Sequence, residues 1–366
     1  MPYDSGGGSA LSQIYPVSDQ CGPIAIAVMS KSTATAAADP AQPPRVSVIV
    51  PIYNGAADIP ELGACLLAQT YPAAGVEYLL VDNNSQDTTP ELIQDFATQA
   101  ATQGLRVVSL TEAEIQSSYA ARNRGIRAAV GELLVFTDAD CRPEPDWLAN
   151  MVQPFTDPDV ALVVGEIRAL PGRTWLEQYA EYRSVLTQAY TLAHSFYPYG
   201  QTANLGVRRV ALEKAGLFRP YLTTGGDADL CWRVQMAGSW RVEFAETAII
   251  RHRHRATFSE LASQWRRYGR SNRYLHDLHG VPLRPEISRR QQQAHVLRWL
   301  FKELPKSTWR WLRGRAPAVA MVAGLVDLFC ARSREQGQRD AQLPEAARQI
   351  EWLTPPVPDD QVSPSK

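Results

Sequence analysis

The chain is poor in cysteine, in long apolar runs and in net charge. Its five cysteines, at 21, 65, 141, 231 and 330, are scattered and odd in number, and no C-x-x-C occurs. That pattern excludes a disulfide framework and a paired-cysteine metal motif. It points to a reduced, cytosolic compartment in which cysteine serves as a small core residue. No stretch of the sequence reaches the ~18 unbroken apolar residues of a membrane-crossing helix. Residues 1–10 carry no basic segment and the apolar stretch at 23–29 is short, so no signal peptide is expected. A net charge of −1 excludes a molecule-wide polyanion binder, and no nucleic-acid partner is expected. What is present is 45% hydrophobic and 20% charged residues over 366 positions. That suits a globular chain of one large domain or two modest ones.

The even charge balance hides a basic block. Residues 251–315 hold 16 Arg and Lys against 4 Asp and Glu, a net of +12, so the remainder carries −13. Such a block implies an anionic partner or a solvated helical face.

Residues 1–44 are rich in Gly, Ser, Ala, Thr and Pro and read as disordered. A β-branched run at 46–50, closed by Pro51, starts the ordered part. Helices are expected near 58–69, 88–102 and 117–129, with strands at 78–81, 105–110 and 132–137. Strands alternating with helices imply parallel βαβ units and a sheet covered on both faces. After 150 the alternation loosens. The pattern predicts a strand at 160–167, a long helix over 174–193, helices at 209–215 and 228–237, a strand at 241–250 and a basic helix at 257–278.

Asp138-Ala139-Asp140 closes the strand at 132–137, the edge of an open α/β sheet where ligands bind. Hard divalent cations prefer carboxylate oxygens, and Mg²⁺ or Mn²⁺ held this way often shares its sphere with a diphosphate. Two other D-x-D triplets occur. Asp157-Pro158-Asp159 lies in a Pro-rich turn and reads as turn chemistry. Asp227-Ala228-Asp229 follows Gly225-Gly226 and opens a helix. Glycine there would let the backbone approach a ligand. The helix end favours a charged carboxylate, as a general base requires, although Asp227 could equally be a cap.

Other strand ends are polar. Tyr53-Asn54 places an aromatic that could stack on a base or simply form a turn. Asp82-Asn83-Asn84 offers a carboxylate that could accept a base N–H or make an Asx turn. Arg122, in Ala120-Ala121-Arg122-Asn123-Arg124-Gly125, is a donor fork for phosphate or a base edge, or the end of a surface helix. His252 and His254 close the strand at 241–250. They are expected to point to opposite faces, one of them completing a metal site beside Asp140 and the other structural.

Together these segments resemble the family-2 glycosyltransferases over roughly residues 45–275. The matches are Val48-Ile49-Val50-Pro51-Ile52-Tyr53-Asn54, Leu80-Val81-Asp82-Asn83-Asn84-Ser85-Gln86-Asp87-Thr88-Thr89, Arg122-Asn123-Arg124-Gly125, Phe136-Thr137-Asp138-Ala139-Asp140 and Gly226-Asp227-Ala228-Asp229-Leu230. The resemblance implies the α/β GT-A fold, a Rossmann-like nucleotide-binding sheet with an acceptor-side subdomain. It implies inverting transfer from a nucleoside-diphosphate sugar, UDP- or GDP-linked, to a glycan or lipid-linked acceptor in cell-envelope glycan synthesis. Pro51, Tyr53, Asp82, Arg122 and Asp138 would line the nucleotide pocket. Asp138, Asp140 and His252 would hold Mn²⁺ or Mg²⁺. Asp227 would be the base. Asp229, Gln264, Arg266 and Arg267 would face acceptor or diphosphate.

Two departures stand out. Gly226 replaces the Glu that often precedes Asp227, and Gln264-Trp265-Arg266-Arg267-Tyr268 ends in Tyr where processive members carry Trp. With no array of membrane spans, a non-processive enzyme is expected. The alternatives are a nucleotidyltransferase that makes sugar nucleotides, which usually needs a Gly-rich basic loop after the first strand, and a non-catalytic sugar-nucleotide-binding protein.

The expected division is a catalytic domain at 45–280, its halves meeting near 150, then a basic amphipathic helical region at 281–333 and a polar tail at 334–366. Trp299, Trp309 and Trp311 lie among arginines before a near-apolar run at 317–330. Peripheral attachment to the cytosolic membrane face is expected there, against a hairpin packed on the catalytic domain or in a homodimer.

Overall fold

The computed structural model describes residues 43–353. The disorder expected for 1–44 thus falls, but for two residues, outside the described part.

β1 (Val46–Ile52), α1 (Ile59–Leu67), β2 (Val76–Asp82), α2 (Thr89–Thr102), β3 (Arg106–Thr111), α3 (Ser118–Ala128) and β4 (Leu133–Thr137) alternate as the pattern predicts. β1, β2 and β4 bury every residue, as strands covered by helices on both faces must. They are parallel, in the order β3-β2-β1-β4.

The second half comprises β5 (Cys141–Pro143), α4 (Trp147–Val152), β6 (Val160–Ala169), α5 (Trp175–Tyr182), α6 (Ala189–Leu192), β7 (Asn204–Arg208), α7 (Arg209–Ala215), α8 (Gly226–Met236), β8 (Arg241–His252) and α9 (Phe258–His279). The parallel rule stops here. β7 runs antiparallel to both β4 and β6, β8 is parallel to β6, and β5 is antiparallel to β8. One mixed eight-stranded sheet results, ordered β3-β2-β1-β4-β7-β6-β8-β5. A parallel return needs a crossover of about a dozen residues or more. Only Asp138, Ala139 and Asp140 separate β4 from β5, so β5 leaves its predecessor and joins β8.

The helix expected over 174–193 is broken. α5 starts on a capping box between Thr174 and Glu177, but Ser184 adopts a φ of 48° and ends the run. Val185 and Leu186 turn into the core instead, and α6 is a single turn.

Pairing of β6 with β8 shifts between Gly165 and Glu166. The Asn204 amide bridges the irregularity, donating to the Glu166 carbonyl at 2.9 Å and the Ala248 carbonyl at 2.8 Å. Its oxygen accepts from the Trp147 indole at 2.7 Å. A Cβ on Gly165 would stand 2.4 Å from Asn204 Nδ2, so no side chain fits there. This satisfied buried amide fixes the path of β8 toward His252.

Beyond α9, α10 (Arg289–Arg298), a π-helical turn (Trp299–Glu303) and α11 (Leu304–Leu312) form one continuous arm, and α12 (Ala323–Asp340) returns to the body. The apolar run at 317–330 faces inward. Val319, Ala323, Val326 and Cys330 pack on Leu176, Tyr179, Leu261 and Trp265. Its one charge, Asp327, accepts from the Tyr179 hydroxyl at 2.7 Å and pairs with Arg183. Among the described residues no helix is long and apolar enough to cross a membrane.

The tail boundary expected at 333/334 falls inside α12. The composition there is polar because glycine, not apolar bulk, makes the contact. A Cβ on Gly337 would stand 2.0 Å from the Arg266 carbonyl oxygen, and one on Gly269 would stand 1.9 Å from that of Arg334. α9 and α12 therefore touch backbone to backbone. Gly337→Ala is expected to destabilise the protein by about 1–3 kcal/mol through overpacking, outweighing the ~1 kcal/mol that alanine offers in a helix interior. A urea midpoint at or above that of the wild type would show instead that the two helices part freely.

Candidate active site

Register brings the three informative strand ends together. Ile52 lies opposite Asp82, and Ile49 opposite Phe136, so the segments after β1, β2 and β4 share one edge. The first two are laced by hydrogen bonds. The Asn54 N–H donates to Ser85 Oγ and the Gln86 N–H to Asn54 Oδ1, each at 2.8 Å. Asn54 and Asn84 adopt φ values of 48° and 61°, which asparagine tolerates better than most residues. Asp82 is buried and accepts the Ser85 N–H at 3.3 Å, the Asx-turn use that the sequence left open. Tyr53 is 52% exposed and its ring is available for stacking. Pro51 is buried within β1, one residue before the strand's end.

Arg122 is not the end of a surface helix. It is buried on α3, its guanidinium 5.6 Å from the Tyr119 ring centroid and 6.0 Å from that of Phe218. It pairs with Asp138 at 2.5 Å. The Asp138–Asp140 turn is also held from behind. Buried Arg142 donates to the Ala139 carbonyl at 3.0 Å, to Asp58 at 2.7 Å and to Glu61 at 2.8 Å. No motif in the sequence had marked Arg142.

Asp140 lies beside His252, with Oδ2 and Nε2 3.3 Å apart. Burial opposes ionisation of Asp140, but the hydrogen bond and charge of His252, with Arg255 behind, bring its carboxyl down to about 2. Donor atoms of Asp140, Cys141 and His252 lie within 4.8 Å of one another. The Cys141 thiol is pushed far up by burial and stays protonated, a poor ligand for a hard cation. Asp138 is not in this group, because its carboxylate turns to Arg122. Asp140 and His252 thus fit a divalent cation, while Asp138 as a direct ligand is not what the geometry favours.

The expectation that His252 and His254 face opposite ways is corrected. Alternate residues of an extended chain share a face, and the two rings lie 6.2 Å apart. They differ in environment: burial, then His252, brings His254 down to about 4, whereas at His252 burial also lowers the imidazole but the hydrogen bond and charge of Asp140, with the charge of Asp138, together overcome it and raise it.

Asp227 opens α8. Thr202, unmarked in the sequence, clamps it with its hydroxyl at 3.0 Å and its N–H at 3.3 Å. The helix end was expected to keep this carboxyl ionised. Burial wins instead: aided by Asp138, it raises the Asp227 carboxyl above its ordinary value against Arg122 and the Thr202 bonds. The glycine pair also has another purpose. Gly225 takes a φ of 80°, and a Cβ on Gly226 would stand 2.7 Å from the Tyr119 ring. The Gly226 N–H donates to the Tyr119 hydroxyl at 3.0 Å. The glycine gives α8 a close approach to α3.

Asp229 is not an acceptor or diphosphate contact. It is fully buried, ion-paired with Arg219 at 3.0 Å, Arg233 at 2.9 Å and His279 at 2.9 Å. Two positions beyond Asp227, more than half a helical turn on, it projects from the opposite side of α8. Arg266 also points elsewhere, donating to Gln336 of α12 at 3.1 Å. Gln264 and Arg267 do converge, with Arg255, Ser259, Glu260 and Ser263, on an open groove of about 280 Å³. Arg255 acts electrostatically on Asp140 and His252, and Arg267 on Tyr119, so this groove belongs to the same electrostatic neighbourhood. Asp157 is a turn residue as expected: it accepts the Asp159 N–H at 2.9 Å and pairs with Arg241.

Asp138 thus pairs with a buried arginine that also acts on Asp227, at the carboxyl edge of the parallel strands, where open α/β sheets bind their ligands. The chain belongs to the family-2 glycosyltransferases. The model described as Glycosyl transferase family 2 matches residues 47–215, and that described as Glycosyl transferase family group 2 matches residues 133–326. Glycosyltransferase AglE of Haloferax volcanii is 36% identical over 243 residues, 66% of this chain and 77% of that protein. A pre-mycofactocin glycosyltransferase of Mycobacterium tuberculosis is 30% identical over 231 residues, and there the match spans 46% of the relative's length. Among solved structures, the mannosyltransferase PcManGT from Pyrobaculum calidifontis, in complex with GDP-Man and Mn²⁺, superposes with a TM-score of 0.58 at 22% identity. That superposition covers 85% of this chain and 92% of that one, and it establishes the GT-A fold. Family membership sets aside the nucleotidyltransferase and non-catalytic alternatives.

Proposed function

We propose that this glycosyltransferase moves a sugar from a UDP- or GDP-linked donor to an acceptor hydroxyl with inversion, in a single displacement. The observation that carries the reading is the arrangement around Arg122. This buried cation pairs with Asp138 on the donor edge and acts on Asp227 on the acceptor side. Arg122 Nε is buried without a hydrogen-bond partner among the described residues, a donor that a bound nucleotide would satisfy.

In this reading Tyr53 stacks on the base and Asp82 borders it. Asp227 accepts the proton of the acceptor hydroxyl while that oxygen bonds to the anomeric carbon. The bond from that carbon to the diphosphate oxygen breaks, and the nucleoside diphosphate leaves. Gln264, Arg267 and Arg255 offer hydrogen bonds and positive charge to the diphosphate or to an acceptor phosphate. A cation held by Asp140 and His252, Mn²⁺ or Mg²⁺, would neutralise charge on the departing diphosphate when bound. The acceptor is a glycan or a lipid-linked sugar carrier, reached at the cytosolic membrane face.

A thermal-shift series with UDP and GDP, with and without Mn²⁺, tests the donor side, because a ligand of the native state raises apparent stability. Wild-type protein is expected to gain stability from nucleotide only when the metal is present. Asp140→Ala is expected to remain folded and lose the metal-dependent part. An unchanged metal response in folded Asp140→Ala would reject this metal site.

A further inference from the structure

We propose that the arm built from α10, the π-helical turn and α11 docks on an anionic lipid surface. This deepens the reading above, and rests on it for the lipid-linked acceptor, by naming the surface through which such an acceptor would be reached. One side of the arm is already engaged. His295 Nε2 is 2.8 Å from the Gly324 carbonyl oxygen, and the Trp299 indole donates to the Met321 carbonyl at 2.8 Å. Much of the rest of the arm is exposed. Leu297, Leu300, Phe301, Trp309 and Leu312 are all exposed, Phe301 by 74% and Leu312 by 71%. Singly exposed apolar residues need no explanation, but these, with Val296 and Trp311 also exposed on the same short arm, do.

Charge decides the occupant. Lys302, Lys306, Arg310, Arg313 and Arg315 are interleaved with these residues and exposed. The acidic residue among them, Glu303, is half-buried and paired with Arg298 at 3.0 Å. A second copy of this face would bring like charge against like. An anionic lipid surface complements both its cations and its apolar side chains. The Arg313 guanidinium lies 3.9 Å from the centroid of the Trp309 ring, a pairing of cation and amphipathic ring suited to the headgroup level. The arm lies on the bilayer rather than in it, since no described helix is long and apolar enough to cross. The apolar run at 317–330 is not the inserting element, because its side chains are spent on α5 and α9.

Flotation of the full chain with phosphatidylcholine vesicles, with and without phosphatidylglycerol, tests the proposal. Binding is expected with phosphatidylglycerol and is expected to fall steeply in high salt. Phe301→Ser with Leu312→Ser is expected to weaken binding by roughly tenfold or more. Lys302→Gln with Lys306→Gln and Arg310→Gln is expected to remove the preference for anionic vesicles. All five positions are exposed, so melting temperatures should match the wild type. Absence of binding by the full chain, or wild-type binding by either folded variant, overturns the proposal. So does a wild-type dimer that Phe301→Ser with Leu312→Ser splits, which would assign the face to a second copy. Nucleotide thermal shifts on the same samples keep the two readings apart: vesicle binding without nucleotide binding removes the donor-site reading and leaves this surface standing.

Discussion

Asp227→Asn is expected to lower kcat by about 10²-fold or more, the scale of general-base catalysis, with nucleotide affinity little changed. The amide keeps the shape and can still meet the Thr202 clamp, but it cannot accept the acceptor's proton. The environment of Asp227 adds a pH signature. Its carboxyl titrates above the ordinary value because burial, with Asp138 nearby, outweighs Arg122 and Thr202. A base works only when ionised, so activity should fall on the acid side with a midpoint above the ~4 of a free carboxylic acid. Asp227→Asn should abolish that limb along with most of the rate. Steady-state kinetics across pH reads both. Near wild-type activity would remove Asp227 from the role, and Asp229, fully buried among cations, could not have taken it. A large loss of nucleotide binding would make Asp227 a donor contact instead.

Asp229→Asn is expected to cost about 3–5 kcal/mol of stability, the effect of breaking a buried ion network by removing one partner. Arg219, Arg233 and His279 all converge on this one carboxylate. Arg233 also donates to the carbonyls of Ala215, Gly216 and Leu217, tying α8 to the end of α7. Without Asp229 two buried guanidinium groups lose their counter-charge. Burial alone would raise the Asp229 carboxyl; Arg233, His279 and Arg219 overcome it and hold the carboxyl well below the usual range. The sign follows. A carboxyl depressed in the folded state contributes stability that is complete above its unfolded value of ~4 and fades as pH falls below that. Urea midpoints of wild type and variant should therefore converge on acidification. A variant as stable as wild type at neutral pH would show that the cluster adds little.

The nucleotide-side half was legible because its signals are local. Short apolar runs inside β1, β2 and β4, alternating with helical patterns, predict doubly covered parallel strands, and register then brings their polar ends to one edge. The rest depended on contacts distant in sequence. Thr202 meets Asp227 across 25 positions, and Arg142 meets Asp58 across 84. Neither residue type advertises its role. The glycine pair before α8 looked like a ligand cradle, yet its partners are Tyr119 and Ser271, which no spacing rule connects to it. Polar composition placed the start of a polar tail at 334, whereas Gly269 and Gly337 let two helix backbones meet there.

By itself the sequence determined the family, the parallel half of the sheet and which carboxylates were candidates, because motif order and apolar periodicity are properties of neighbouring residues. Tertiary structure decided their roles. Asp227 and Asp229 sit two positions apart at the start of one helix, where the same helix end would favour charge on both. Burial near Asp138 raises the first, and three cations sealed around the second hold it down. A carboxyl's protonation is set by the charges and solvent that surround it in space, and those arrive from segments that only the fold brings together.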